Sequence, residues 1–254
     1  MVMSKKELLK KAIELGRIPR YVYKYRKLET FTENIFSKNE IWFEKPVNFN
    51  DPFDCKYSYE EIPNVDLMKQ YIQKNFKNIN IEDLDLNKYK ELIYAKLNKE
   101  LKEIISNDGL SCFSKNNDNI LMWSHYADSH KGVCIKFDML SDLDFFMIPI
   151  EIVYKDEYPK FDILNSENEN LYDSIYKIKA NCWKYEEEVR IRKKKSGLHN
   201  FNKNCLTDIY FGLNTTEDDV YKYRKILTDY SYQNVGLFKA VPSFNQYKIN
   251  FKKI

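Results

Sequence analysis

Leu121-Met122-Trp123-Ser124-His125-Tyr126-Ala127-Asp128-Ser129-His130-Lys131-Gly132-Val133-Cys134-Ile135-Lys136-Phe137-Asp138 is the stretch from which the rest of the chain can be read. It holds two of the three histidines, a Trp, a Tyr and a Lys-Gly turn. It then runs into Val133, Ile135 and Phe137 on alternate positions, the two-residue period of a half-buried strand. Groups able to move protons, set at the mouth of a strand, suit a small-molecule site. The stretch is not a complete catalytic signature.

Working outward, the flanks alternate between strand and helix patterns. Upstream, Ser4 and Glu7 form a capping box for a helix that ends at Gly16. Tyr21-Val22-Tyr23-Lys24-Tyr25-Arg26 reads as a first strand, with its tyrosines on one face and Lys24 and Arg26 on the other. Glu29 to Phe36 reads as a short helix and Glu40 to Glu44 as a strand stopped at Pro46. Asn48 to Cys55 is a polar, Pro-containing loop, and residues 65–106 carry two helical patterns with a break near Asn78-Ile79-Asn80.

Leu110 to Ser114 is a short buried strand. Downstream, strands are expected over Phe145 to Tyr154, Trp183 to Arg192, Ile209 to Leu213, Val235 to Val241 and Tyr247 to Phe251. Helices are expected over Asp173 to Trp183 and, capped by Thr215 or Thr216, over Asp218 to Tyr230. The pattern implies an α+β fold: a mixed or antiparallel β core with flanking helices, read as a single domain over 1–254 with a helical insertion at 65–106.

With 43% hydrophobic and 31% charged residues, the 254-residue chain has the balance of a soluble globular protein. Its 41 basic and 38 acidic residues interleave, unlike the clustered excess of a dedicated nucleic-acid binder, although nucleic acid is not excluded as a partner. Arg190 to Lys195 is the longest basic run, either a solvated face or an attraction for a phosphate-bearing ligand. The five cysteines are odd in number and contain no C-x-x-C, which fits reduced thiols and a cytoplasmic location. Cys112, His125, His130 and Cys134 match no standard zinc spacing, so no metal site is assigned. No stretch approaches the ~20 apolar residues of a membrane span.

Three polar constellations carry the chemistry. Lys24 and Arg26 sit on the first strand, His125 and Tyr126 in the central stretch, and Glu186, Glu188 and Arg190 late in the chain. Read as strand residues, Glu186, Glu188, Arg190 and Arg192 share a face, so both carboxylates would approach one ligand or else form an ion-pair ladder with a neighbouring strand. His125 titrates near neutrality and is the proton-transfer candidate, or else a packing residue. Asn50, Asp51 and Asp54 would serve as turn residues or hold a ribose or base. Lys131 before Gly132 forms a turn where phosphate could meet backbone N–H groups. The chain has no Walker A, G-x-G-x-x-G, G-x-S-x-G or H-E-x-x-H motif, which disfavours the enzymes built on them.

Tyr23-Lys24-Tyr25-Arg26, Phe49-Asn50-Asp51-Pro52-Phe53-Asp54, Cys112-Phe113-Ser114, Met122-Trp123-Ser124-His125-Tyr126, Lys131-Gly132-Val133-Cys134-Ile135 and Trp183-Lys184-Tyr185-Glu186-Glu187-Glu188-Val189-Arg190 occur in that order. They resemble the signatures of a bacterial and phage family, the domain of unknown function numbered two-nine-seven-one. More distantly, a basic first strand, an aromatic and hydroxyl-bearing middle strand and a late Glu-x-Glu are similar to ADP-ribosyltransferases. That likeness implies a cleft for NAD, with Glu188 as catalytic carboxylate and Glu186 beside it. It places Arg26 or Lys24 on the phosphates, Tyr126 or Tyr23 against nicotinamide and His125 on a ribose hydroxyl. Ser114, Trp123, Lys131 and Arg190 complete the expected contacts. The Ser-Thr-Ser triplet and the His-Gly opening of those enzymes are missing here. The resemblance implies NAD-dependent transfer or cleavage in phage–host conflict. The alternatives are a non-enzymatic module that senses a nucleotide or binds a protein target, and a nuclease gathering Glu186, Glu188 and Asp51 or Asp54 around Mg²⁺.

Overall fold

The computed structural model describes residues 3–59, 65–75, 85–161 and 169–254, which form an α+β fold. The chain divides into two compact units. The first comprises Met1–Glu44, Gly109–Ile152 and Cys182–Ile254, and the second Lys45–Asp108 and Val153–Asn181.

In chain order the elements are α1 (Lys5–Glu14), β1 (Tyr21–Arg26), α2 (Thr30–Lys38), β2 (Glu40–Phe43), β3 (Ser58–Tyr59), α3 (Val65–Asn75), α4 (Leu86–Asn107), β4 (Gly109–Ser114), α5 (Ile120–Tyr126), β5 (Val133–Asp138), β6 (Pro149–Glu151), β7 (Val153–Lys155), β8 (Lys160–Phe161), α6 (Glu169–Lys177), β9 (Ile178–Ala180), β10 (Glu188–Lys193), β11 (Gly197–Asn200), β12 (Leu206–Phe211), α7 (Glu217–Asp229), β13 (Gly236–Pro242) and β14 (Ile249–Lys253).

The first unit is built on a sheet of order β14-β13-β12-β5-β1-β4-β10-β6. Only β12 and β13 run parallel in it, so the sheet is mixed. Both faces are covered. Leu9 and Ile13 of α1, Ile35 and Phe36 of α2, and Val220, Tyr223 and Leu227 of α7 pack on Val22, Val133, Ile135, Phe137, Val189, Ile191, Ile209 and Phe211. On the other face Met122 and Trp123 of α5 pack on Tyr25, Cys134, Tyr210, Ala240 and Ile249. The strand after Gly132 is therefore not half-buried, as its alternation implies, but closed off on both sides. Cys134 is small enough to sit under Trp123, and Asp138 is satisfied by the Arg20 guanidinium at 2.8 Å.

Local chemistry sets the element ends. Ser4 and Glu7 make the reciprocal capping box, and Gly16 leaves α1 at φ 68. Thr216 caps α7 by accepting from Asp219 N–H. Two expectations need correction. Phe145 and Phe146 belong to no strand; they bury their rings edge-on against each other, and extended structure starts only at Pro149. The helix expected over Asp173 to Trp183 ends at Lys177, after which the chain forms β9 and a 3₁₀ turn over Asn181–Glu186. Short β-pairing with β7 outcompetes helix continuation there.

In the second unit α3 and α4 occupy the region expected to be helical; the break near Asn78–Asn80 lies outside the described residues. Met68, Ile72, Leu101, Ile105, Ile175 and Tyr176 are buried in this unit. The Tyr176 hydroxyl donates to Asp108 at 2.6 Å. Among the described residues, no helix is long and apolar enough to cross a membrane.

Candidate functional site

The side chain of Asn119 opens α5 by accepting from Leu121 N–H at 2.9 Å and Met122 N–H at 3.2 Å. That start rotates Met122 and Trp123 into the sheet, where the Trp123 indole donates to the Asn117 carbonyl at 2.7 Å. Trp123 is thus a core anchor. The same rotation leaves His125 exposed and Tyr126 half-buried.

Three bonds tie α5 to the segment ahead of β10. The Tyr126 hydroxyl donates to Glu186 Oε1 at 2.6 Å, His125 Nδ1 lies 2.9 Å from the Tyr185 hydroxyl, and the Asn119 amide donates to the Tyr185 carbonyl at 2.9 Å. His125, Tyr126 and Glu186, singled out from sequence, therefore do meet. Tyr185 is the residue that sequence reasoning missed, because a strand reading sends it to the far face from Glu186. No strand exists there: Glu186 ends a 3₁₀ turn, and Glu187 takes φ 43 before β10 begins at Glu188. The placement of Glu186 and Glu188 as alternate residues of one strand is corrected accordingly. Adjacent side chains of a 3₁₀ turn do not alternate between two faces as they do on a strand, so Tyr185 and Glu186 can both reach α5.

Glu188 and Arg190 do share a strand face. The Arg190 side chain is 0% exposed, and its Nε and Nη2 donate to Glu188 Oε1 and Oε2 at 2.6 and 3.2 Å. A fork-to-fork pair of this kind keeps both groups charged away from water. Register places Glu188 opposite Ser114, and Ser114 opposite Tyr23, so these three point to the α5 face. Ser114 is buried and accepts from Asn116 N–H at 3.1 Å. Tyr23 lies against Tyr210 at 6.3 Å between ring centroids, and burial pushes its hydroxyl up to about 12.

Lys24 and Arg26 occupy the opposite face. The floor expected from the first strand thus supplies Tyr23 but not its two cations. Arg26 bonds Thr32 at 3.4 Å and Glu29 at 3.3 Å. Lys24 Nζ donates to Ser111 Oγ at 2.9 Å and the Cys112 carbonyl at 3.0 Å, and stands 4.8 Å over the Phe113 ring. It can reach a main-chain carbonyl because β1 and β4 pair only at Tyr23 and Ser114 and then part. Desolvation lowers its pKa to about 8.

The turn between α5 and β5 is strained and locked. Asp128, Ser129 and His130 all have positive φ, at 47, 52 and 67. Gly132 N–H bonds Ala127 O at 2.8 Å, Asn214 N–H bonds His130 O at 2.9 Å, and Thr215 Oγ1 bonds Gly132 O at 3.1 Å. A Cβ at Gly132 would collide with the Arg26 carbonyl, and one at Gly212 with the His130 carbonyl. His130 stacks on Trp123 and sets Nε2 3.2 Å from Ser124 Oγ, while burial lowers its pKa. Lys131 is exposed on this turn.

Asn50, Asp51 and Asp54 belong to the second unit. Asn50 is exposed, Asp51 accepts from Phe53 N–H at 2.8 Å, and Asp54 accepts from Cys55 N–H at 2.7 Å and pairs with Lys179 at 3.7 Å. Among the described residues no group of three or more His, Cys, Asp or Glu is placed to hold a metal ion.

Residues 122–191 match the family model described as Protein of unknown function (DUF2971). The match opens at Met122 in α5 and closes at Ile191 in β10, so it takes in His125, Tyr126, Tyr185, Glu186, Glu188 and Arg190. It covers just over a quarter of the chain, which is in that span similar to the family. No curated protein and no solved structure matches the chain.

Proposed function

We propose that the chain recognises the nucleoside part of a nucleotide-type small molecule, with NAD as the leading ligand, at the junction of α5 and the Tyr185–Glu186 turn. The observation that carries this is the pair of side-chain links, Tyr126 to Glu186 and His125 to Tyr185, made side by side at the end of α5. A carboxylate is suited to accept from a ribose diol, and Tyr and His rings offer stacking faces to a base. Lys24 and Arg26 face away from this junction, which argues for recognition through the nucleoside end more than the phosphates.

Binding without turnover is favoured over ADP-ribosyl transfer because Glu188, the carboxylate best placed by analogy, is held through both of its oxygens by Arg190. Transfer at this junction would instead need Glu186 to face the ribose as the bond to nicotinamide breaks. Thermal-shift titration with NAD, ADP-ribose and adenosine tests the proposal. A saturable rise in Tm that disappears in Glu186→Gln supports it, and no shift with any of the three refutes it. Nicotinamide release by the wild-type chain, abolished in Glu186→Gln, would move the reading from binding to transfer.

A further inference from the structure

The hairpin joining β13 to β14 ends in Ser243-Phe244-Asn245-Gln246-Tyr247-Lys248, closed by Ser243 N–H to Lys248 O at 2.9 Å. Phe244 is 104% and Tyr247 101% exposed, so neither ring is covered by its own fold. Isolated surface aromatics are common, but two fully exposed rings at one hairpin tip give up burial that the chain obtains for Phe238 and Phe251 on the same two strands. Along the sequence, the charge flanking the tip has one sign. No Asp or Glu occurs after Asp229, while Lys248, just ahead of β14, and Lys252 and Lys253 within it are all exposed; β14 is the edge strand of the sheet. Lys239, the fourth lysine of this segment, is turned away to the Gly212 and Thr215 carbonyls and faces Glu217 and Asp219, so it is not counted here.

We infer that this hairpin is a binding site for single-stranded nucleic acid, separate from the α5 junction. Phe244 and Tyr247 supply stacking faces for unpaired bases, which every base can use. Lys248 and Lys252 supply cations for the phosphates that follow, while Lys253, next to Lys252 on the strand, points to the other face. Asn245 and Gln246, between the rings, can donate to and accept from exposed base edges. The same two amides argue against insertion into lipid, where they would lose their hydrogen bonds with no partner in return.

Fluorescence anisotropy of the full chain with labelled oligouridylate and oligothymidylate tests the inference, alongside a duplex of equal length and vesicles containing phosphatidylserine. Saturable binding to the single strands, weaker to the duplex, is expected. Phe244→Ala and Tyr247→Ala should each weaken it roughly tenfold with the salt dependence unchanged, as loss of one stacked base predicts. Lys248→Ala should instead lower the slope of log Kd against log salt by about 0.7, the value for one phosphate contact on a single strand. These positions are fully solvated, and an unchanged Tm would show that the variants fold. Absence of binding, indifference to both aromatic substitutions, or preference for the vesicles would overturn it. Loss of nucleoside binding in Glu186→Gln leaves these expectations intact.

Discussion

Arg190, fully buried, and Lys24, half-buried, are cations on opposite faces of one sheet, with only β4 between their strands, and the protein treats them differently. Arg190 is locked to a carboxylate two residues away on its own strand, in a planar, two-bond geometry that an arginine makes and a lysine cannot. Lys24 has a hydroxyl, a carbonyl and a ring face, all neutral, and its proton is loosened as a result. On one face the charge is permanent and fixes the approach to β10 from the Tyr185–Glu186 turn. On the other it is conditional on pH. The difference identifies Glu188–Arg190 as a rigid support beneath the candidate site and Lys24 as the plug of a parted sheet.

Removing the charge of Glu188 should have the largest effect on stability. Glu188→Gln leaves a buried guanidinium uncompensated and should cost about 3–5 kcal/mol in urea denaturation. Replacing both members with apolar residues of similar volume should recover most of that loss. If Glu188→Gln costs no more than an exposed pair would, the support reading of this ion pair fails.

Lys24 sharpens the other half of the contrast. Its folded pKa lies below the value of an unfolded lysine, so the folded state binds fewer protons between the two. Stability should therefore rise with pH from about 8 towards 10, by about 2 kcal/mol from this group, before the tyrosines begin to oppose it. Lys24→Met should flatten that rise and stabilise the protein near neutral pH. A wild-type profile that is flat over this interval would contradict a loosened proton.

Tyr126→Phe should cost about 1–2 kcal/mol, because Glu186 loses a charge-assisted donor in a buried position. The smallest change in stability is expected for His125→Ala, within about 0.5 kcal/mol, since the ring is exposed. Nucleoside affinity should nevertheless fall clearly in His125→Ala. Stability and binding parting in this way is what separates a ligand contact from a packing residue.

How far these arrangements could be read from sequence differs residue by residue. The alternation Tyr21-Tyr23-Tyr25 against Lys24-Arg26 revealed β1 and its two faces, because side-chain direction in a strand depends only on parity. It could not say which face would meet the larger core, and the basic one does. Ser4-Glu7 and Thr216 mark helix starts through short-range bonds and were legible for that reason. Glu186 was not, since the two-residue period runs unbroken through Glu186, Glu188 and Arg190 while the strand itself begins only at Glu188, after a 3₁₀ turn. A left-handed glutamate carries no mark in its residue type; tertiary bonds from Lys115 N–H to Glu187 O and from Tyr126 to Glu186 hold it. The pairing of His125 with Tyr185 was hidden by the same 3₁₀ turn.

Isothermal titration calorimetry of the intact chain with NAD, run in parallel on wild type and Glu186→Gln, bears most directly on the central claim. The account predicts one saturable site in the wild type, at least tenfold weaker in the variant, which corresponds to about 1.4 kcal/mol of binding free energy. Equal affinity in the two proteins, or no heat of binding in either, would contradict a nucleoside site at the α5 junction.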